Sequence, residues 1–177
     1  MLMQIGIGLL VLVLALVWFI GTRPAKFRIE RSAQINASNT VVFSLLDDFR
    51  QWAKWSPWEK LDPSMKKTFE GPASGAGAGY SWVGNSKAGE GRMTILDSKP
   101  NELLTIKIEF LKPFAATNQI TFKIHSAPNG SEVHWIMEGE RGFAAKAFGL
   151  LVNMEKLVGK DFDEGLANLN KAAQGAG

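Results

Sequence analysis

From Ile5 to Ile20 every position is apolar or glycine, and Gln4 alone interrupts the run from Met1. Twenty helical residues rise about 30 Å, the thickness of a bilayer's hydrocarbon core. Trp18 stands near one end, where an amphipathic ring suits the interface. After this run the period falls to two. Phe27, Ile29, Arg31, Ala33 and Ile35 share one face of a strand over 27–35, and Arg28, Glu30, Ser32 and Gln34 share the other. Asn36-Ala37-Ser38-Asn39 is rich in N-cap residues and opens a helix to about Phe49, with Val42, Phe43, Leu45 and Leu46 apolar. Trp52, Trp55, Pro57 and Trp58 follow in a proline-broken segment.

Six strands come next, over 66–70, 79–84, 89–97, 102–110, 118–126 and 131–139, separated by glycine, proline and asparagine turn signals. Leu104, Ile106, Ile108 and Phe110 face one way, as do Ile120, Phe122 and Ile124 in the next strand and Val133, Trp135 and Met137 in the last. Asn129-Gly130 reads as a type I′ turn, which pairs Ile124 with Trp135, Phe122 with Met137 and His125 with His134. A single long helix is expected over 143–173, because Phe143, Ala147, Leu151, Met154, Val158, Phe162, Gly165 and Leu169 fall on one stripe at about 100° per residue. The tail from Gln174 is expected to fray.

Strand, helix, six strands and long helix make an α+β fold. Sequential antiparallel strands form a curved sheet of about seven strands, and the one long amphipathic helix covers its concave face. A sheet half-wrapped on a helix encloses an apolar cavity, the usual setting of a ligand site. Its lining is expected to be Arg31, Tyr80, Trp82, Met93, Ile106, Ile108, Phe122, Trp135, Met137, Met154, Val158 and Phe162.

Charge sharpens the first part of this picture. The net charge is +3, and Arg23, Lys26, Arg28 and Arg31 against Glu30 account for all of it, so residues 32–177 are neutral. That argues against nucleic acid, which wants a basic face on the folded domain. A cleaved signal peptide wants a charged start, a shorter apolar run and a small-residue cleavage site. No Lys or Arg precedes this run and no A-x-A follows it. Residues 1–22 are therefore read as a single-pass transmembrane anchor, 23–26 as a linker and 27–174 as one domain. The basic residues after the span place that domain on the cytoplasmic side of the cell membrane.

The candidate chemistry is sparse. The chain has no cysteine and only two histidines, so disulfides, thiolate zinc and thiol nucleophiles are excluded. His125 and His134 on the outer sheet face make too few ligands for a metal site, and no metal or cofactor is expected. Gly75-Ala76-Gly77-Ala78-Gly79 lacks the lysine and the following helix of a phosphate loop and reads as a flexible strand connection. Trp52, Trp55 and Trp58 read as packing between the first helix's exit and the sheet, with a lipid-contacting rim as the alternative. Arg31 is the one charge on an inward face, and it is expected to pair with Asp161 or Glu155 unless an anionic headgroup takes their place. No G-x-S-x-G, H-E-x-x-H or pair of inward carboxylates is present.

Several segments together carry a resemblance: Ile29-Glu30-Arg31-Ser32 with Ile35-Asn36-Ala37, Trp55-Ser56-Pro57-Trp58-Glu59, Gly91-Arg92-Met93, Leu111-Lys112-Pro113-Phe114, and the run from Met154 to Phe162 leading into Gly165-Leu166. Over about 27–173 the chain resembles the START-like (SRPBCC, helix-grip) superfamily, in its polyketide cyclase/dehydrase and lipid-transport branch. The resemblance implies a hydrophobic small molecule or lipid as the partner, bound in the cavity beside the membrane. It equally admits a cyclase or dehydratase that acts by positioning its substrate, and a co-chaperone-like module whose interior is only a core.

Overall fold

The computed structural model describes residues 2–175, and the end of the expected frayed tail, Ala176 and Gly177, lies outside them. The apolar run forms α1 (Leu2–Gly21), whose segment Gln4–Gly21 is long and apolar enough to cross a bilayer, with a mean hydropathy of 2.5. Ile20 is its one buried side chain among the described residues, so α1 is not a core helix of the domain.

Alternation then builds β1 (Lys26–Ile35). Ser38 caps α2 (Asn39–Asp47), its hydroxyl accepting the Val41 N–H. Two short 3-10 turns, Phe49–Lys54 and Pro57–Lys60, carry the tryptophan-rich segment. Six strands follow: β2 (Lys66–Glu70), β3 (Gly79–Val83), β4 (Glu90–Lys99), β5 (Leu103–Lys112), β6 (Ala116–Ala127) and β7 (Gly130–Glu140). All seven strands lie in one antiparallel sheet in the order β1-β7-β6-β5-β4-β3-β2. The fold is the expected helix-grip arrangement: a curved sheet holding a C-terminal helix. The glycine-rich connection before β3 is tied to the sheet, since Gly77 donates to the Ile95 carbonyl and Ile95 donates to that of Ala78.

Two expectations need correction. Ala127 pairs with Gly130, so the β6–β7 turn is centred on Pro128-Asn129 and the register moves by two residues. Phe122 faces Trp135, Ile120 faces Met137, and His125 and His134 stand opposite Glu132 and Lys123. A shift of two preserves which side chains point inward, so the sheet faces survive the error. The histidine rings meet only diagonally, with centroids 5.6 Å apart.

The long terminal helix is in fact two. α3 (Phe143–Phe148) ends at Gly149, and α4 (Met154–Gln174) starts afresh behind Asn153, whose side chain accepts the Lys156 N–H at 3.0 Å. α3 packs on α1, whereas α4 lies along β1. The shared stripe reflected two helices with compatible phase, and the local stop and start signals at Gly149 and Asn153 set the break. On α4 the buried stripe is Phe162, Leu166, Leu169 and Ala173, closed by Gly159 and Gly165.

Candidate functional site

Strand register sorts the concave face into rows. Arg31, Trp135, Phe122 and Leu104 form a deep row; Ile29, Met137, Ile120, Ile106 and Ile95 form the next; Phe27, Gly139, Asn118, Ile108, Met93 and Tyr80 form the one nearest α1's exit. The deep row is roofed by aromatic rings. Trp135 stacks on Phe162 at 4.1 Å between centroids, with Trp55 and Trp58 edge-on at 5.4 and 5.6 Å, and Trp52 and Trp55 meet Phe122. The tryptophan cluster is thus packing beneath the 3-10 turns. Towards the α1 end the seal loosens: Phe27, Phe110, Asn118, Met154 and Val158 are only half-buried.

Of the twelve residues expected to line a cavity, Tyr80, Trp82, Met93, Ile106, Ile108, Phe122, Trp135, Met137 and Phe162 are buried on this face, and Arg31, Met154 and Val158 are half-buried at its edge. Arg31 does not meet Asp161 or Glu155. Its Nε lies 3.6 Å from Asp163 Oδ2, an Nη donates to the Glu30 carbonyl at 2.7 Å, and the guanidinium presses on Gly159. The stripe angle is correct, but Gly159 leaves a slot that draws the guanidinium across the helix towards the next turn.

Polar atoms on this face are few and unequal. The Trp52, Trp55 and Trp82 indoles donate to the carbonyls of Leu46, Leu45 and Ala88 at 2.9, 3.0 and 3.1 Å. Trp135, 0% exposed, has no acceptor for its N–H, and the Asn118 side-chain oxygen is likewise buried without a donor. Burying such a group unpaired costs about 1–3 kcal/mol. Four residues of strand separate the two, about 13 Å at 3.3 Å each. The sequence gives each residue's face but not whether its hydrogen bonds are met, so this pair could not be read from it.

A second polar group stands by β3. Glu59 pairs with Lys67 and accepts from the Tyr80 hydroxyl at 3.5 Å. Burial, and then the negative charge of Glu59, push the Tyr80 phenol well above the ordinary tyrosine value. It is a proton donor in hydrogen bonds at neutral pH and not a base. The sequence gives Glu59 only as the end of a family-like segment and does not join it to Lys67, because the two lie on different elements that only the fold brings together.

A family model described as polyketide cyclase / dehydrase and lipid transport matches residues 26–174. The chain belongs to this family. Solved structures with the same architecture include a Mesorhizobium loti protein (TM-score 0.62, 15% identity, 85% of this chain and 99% of that one) and the Aha1 dimer from Colwellia psychrerythraea (0.60, 15%, 83% and 96%). DynU16, described as a putative protein in the dynemicin biosynthetic locus, also matches (0.56, 11%, 83% and 47%). Identities this low establish a shared fold and nothing finer. No curated protein matches the chain significantly.

In this family domain two depressions open to solvent near the α1 end. One of about 790 Å³ runs between Lys26–Arg28, Thr117–Gln119 and Glu138–Glu140; another of about 420 Å³ lies between Arg141 and the 149–155 segment. Of the expected lining residues only Met154 borders either, and the deep row is filled by its own rings.

Proposed function

We propose that the chain is a membrane-anchored binding protein whose domain takes a hydrophobic small molecule or lipid into the α1-proximal part of the concave face. The observation that carries this reading is the Asn118 side-chain oxygen, buried without a donor in the half-buried row nearest α1 and beside the larger depression. Asn118 would meet a polar atom of a mostly apolar ligand seated between this row and the start of α4. Half-buried Met154, Val158 and Phe110 would be the groups displaced on entry. Family membership supports the ligand class, and the exposed apolar α1 with cations only after it supports a cytoplasmic domain on a single span.

The test is native mass spectrometry of the full chain released from micelles. A bound apolar species should be carried by the wild type and lost in Val158→Trp, which fills the mouth, and weakened in Asn118→Leu. A wild type that carries nothing, together with a Val158→Trp protein that no longer folds, would defeat the proposal. The packing of Trp135 on Phe162 favours a second reading in that case, an interaction module whose interior is only a core. Orientation is tested separately: a cytoplasm-dependent fluorescent fusion at the C-terminus should glow, and a periplasm-active phosphatase fusion should stay silent.

A further inference from the structure

The largest exposed apolar side chains of the domain are not scattered. Outside α1, eleven large hydrophobics among the described residues are exposed, and six of them sit in two segments: Leu111 and Phe114 at the β5–β6 tip, and Phe143, Phe148, Leu150 and Leu151 on α3 and the loop after it. Phe114 is 74% exposed and Leu151 86%. Isolated exposed leucines need no explanation, but a grouped set marks an interaction surface.

Register places both segments at the same end of the sheet. Phe110 pairs with Ala116, Asn118 with Gly139 and Glu140 with Lys26, so the β5–β6 tip, the start of α3 and the start of β1 share one end. α1 exits at that end. α3 packs on it, with the Lys146 ammonium donating to the Gly21 carbonyl at 3.2 Å and Arg141 N–H donating to Ala25 at 2.8 Å. The stretch from Gly21 to Lys26 reaches at most about 18 Å even when extended. A domain held so close to the end of a span has this face beside the bilayer. With Lys112 paired to Glu90 at 2.7 Å, Arg23, Lys26, Arg141 and Lys146 stand in the neighbouring segments against Glu140 and Glu155. Apolar tips ringed by cations suit the boundary between acyl chains and anionic headgroups.

We infer that α3, the loop over 149–153 and the β5–β6 tip form a second membrane contact, seated in the headgroup layer beside α1. It holds the loosely sealed end of the concave face against the leaflet, where an apolar ligand would pass without crossing water. The inference rests on the reading of α1 as a membrane span, and the experiment separates the two.

The chain has no cysteine, so single cysteines introduced into the full chain can each carry a fluorophore. Leu12→Cys reports the span, Phe114→Cys and Leu151→Cys the proposed contact, and Asn129→Cys the β6–β7 turn at the opposite end. The chains are reconstituted in phosphatidylcholine/phosphatidylglycerol vesicles containing lipids brominated high on the acyl chain. Labels at 114 and 151 should lose fluorescence nearly as much as the label at 12, and the label at 129 should lose none. Quenching at 12 with 114 and 151 as bright as 129 overturns the second contact and leaves the anchor standing. No quenching at 12 overturns the anchor and this inference with it.

Discussion

In the row through Trp135, Phe122 and Leu104 every one of those side chains is fully buried, roofed by Trp52, Trp55 and Phe162. Four residues along the same strands, Phe27, Gly139 and Asn118 are only half-buried, as are Met154 and Val158 at the start of α4, and the row closes again at Ile108, Met93 and Tyr80. One sheet thus has a packed end and a loose end. The difference comes from what covers them. The 3-10 turns bring large rings over the far end, whereas at the near end α3 packs on α1 and α4 begins only at Met154. Stability is concentrated where the rings interlock, and the proposed ligand would enter where they do not.

Cutting into the packed end should have the largest effect. Phe162→Ala removes a 0%-exposed ring stacked on Trp135 and is expected to cost about 3–5 kcal/mol, against about 1 kcal/mol or less for Val158→Ala at the loose end. Denaturant unfolding followed by tryptophan fluorescence measures both. Equal losses would mean that the two ends are packed alike.

A finer contrast uses two glycines of α4. A Cβ on Gly165 would lie 2.6 Å from the Trp135 ring and 3.2 Å from Pro57, neither of which can retreat, so Gly165→Ala should destabilise by about 1–3 kcal/mol. A Cβ on Gly159 would meet only the Arg31 guanidinium, the far end of a flexible side chain. There the gain in helix propensity, about 1 kcal/mol, should offset the displacement and leave thermal stability nearly unchanged. A Gly159→Ala loss as large as that of Gly165→Ala would show that Arg31 is held as rigidly as the core.

The smallest effect is spectroscopic. Tyr80 is the one tyrosine in the chain, and burial followed by the charge of Glu59 raises its pKa. An ordinary phenol is half-ionised near pH 10, whereas no phenolate absorbance should develop here until the domain unfolds. The sign follows from linkage. The unfolded chain loses this proton first, so stability is unaffected below about pH 10 and falls as pH rises above it. Glu59→Gln should bring the ionisation part of the way down. Ordinary titration in the folded wild type would place Tyr80 in water and the loose end further along β3 than its burial indicates.

Much of the architecture was legible because alternation and helical period are local. The inward sets Leu104, Ile106, Ile108 and Ile120, Phe122, Ile124 follow from a period of two, which any half-buried strand must obey. The same locality explains the errors. A two-residue slip at Pro128-Asn129 leaves every face unchanged and is invisible to a pattern of period two, and the phase agreement of Phe143 with Val158 concealed the break that Gly149 and Asn153 make. The site was less legible than the fold. The twelve expected lining residues all lie on or beside the concave face, yet the placement of Arg31 against Asp163, the Glu59–Lys67–Tyr80 group and the unpaired Trp135 each depend on residues distant in the chain.

By itself the sequence determined an apolar segment long enough to span a membrane, seven strands with their inward faces, and a terminal amphipathic helix, since each follows from neighbours within a turn or a strand. Only the tertiary structure decided which end of the concave face is filled, which buried polar atoms go unmet and which exposed side chains gather beside α1. Those depend on the distances at which separate elements meet, and a pattern along one chain carries no such distances.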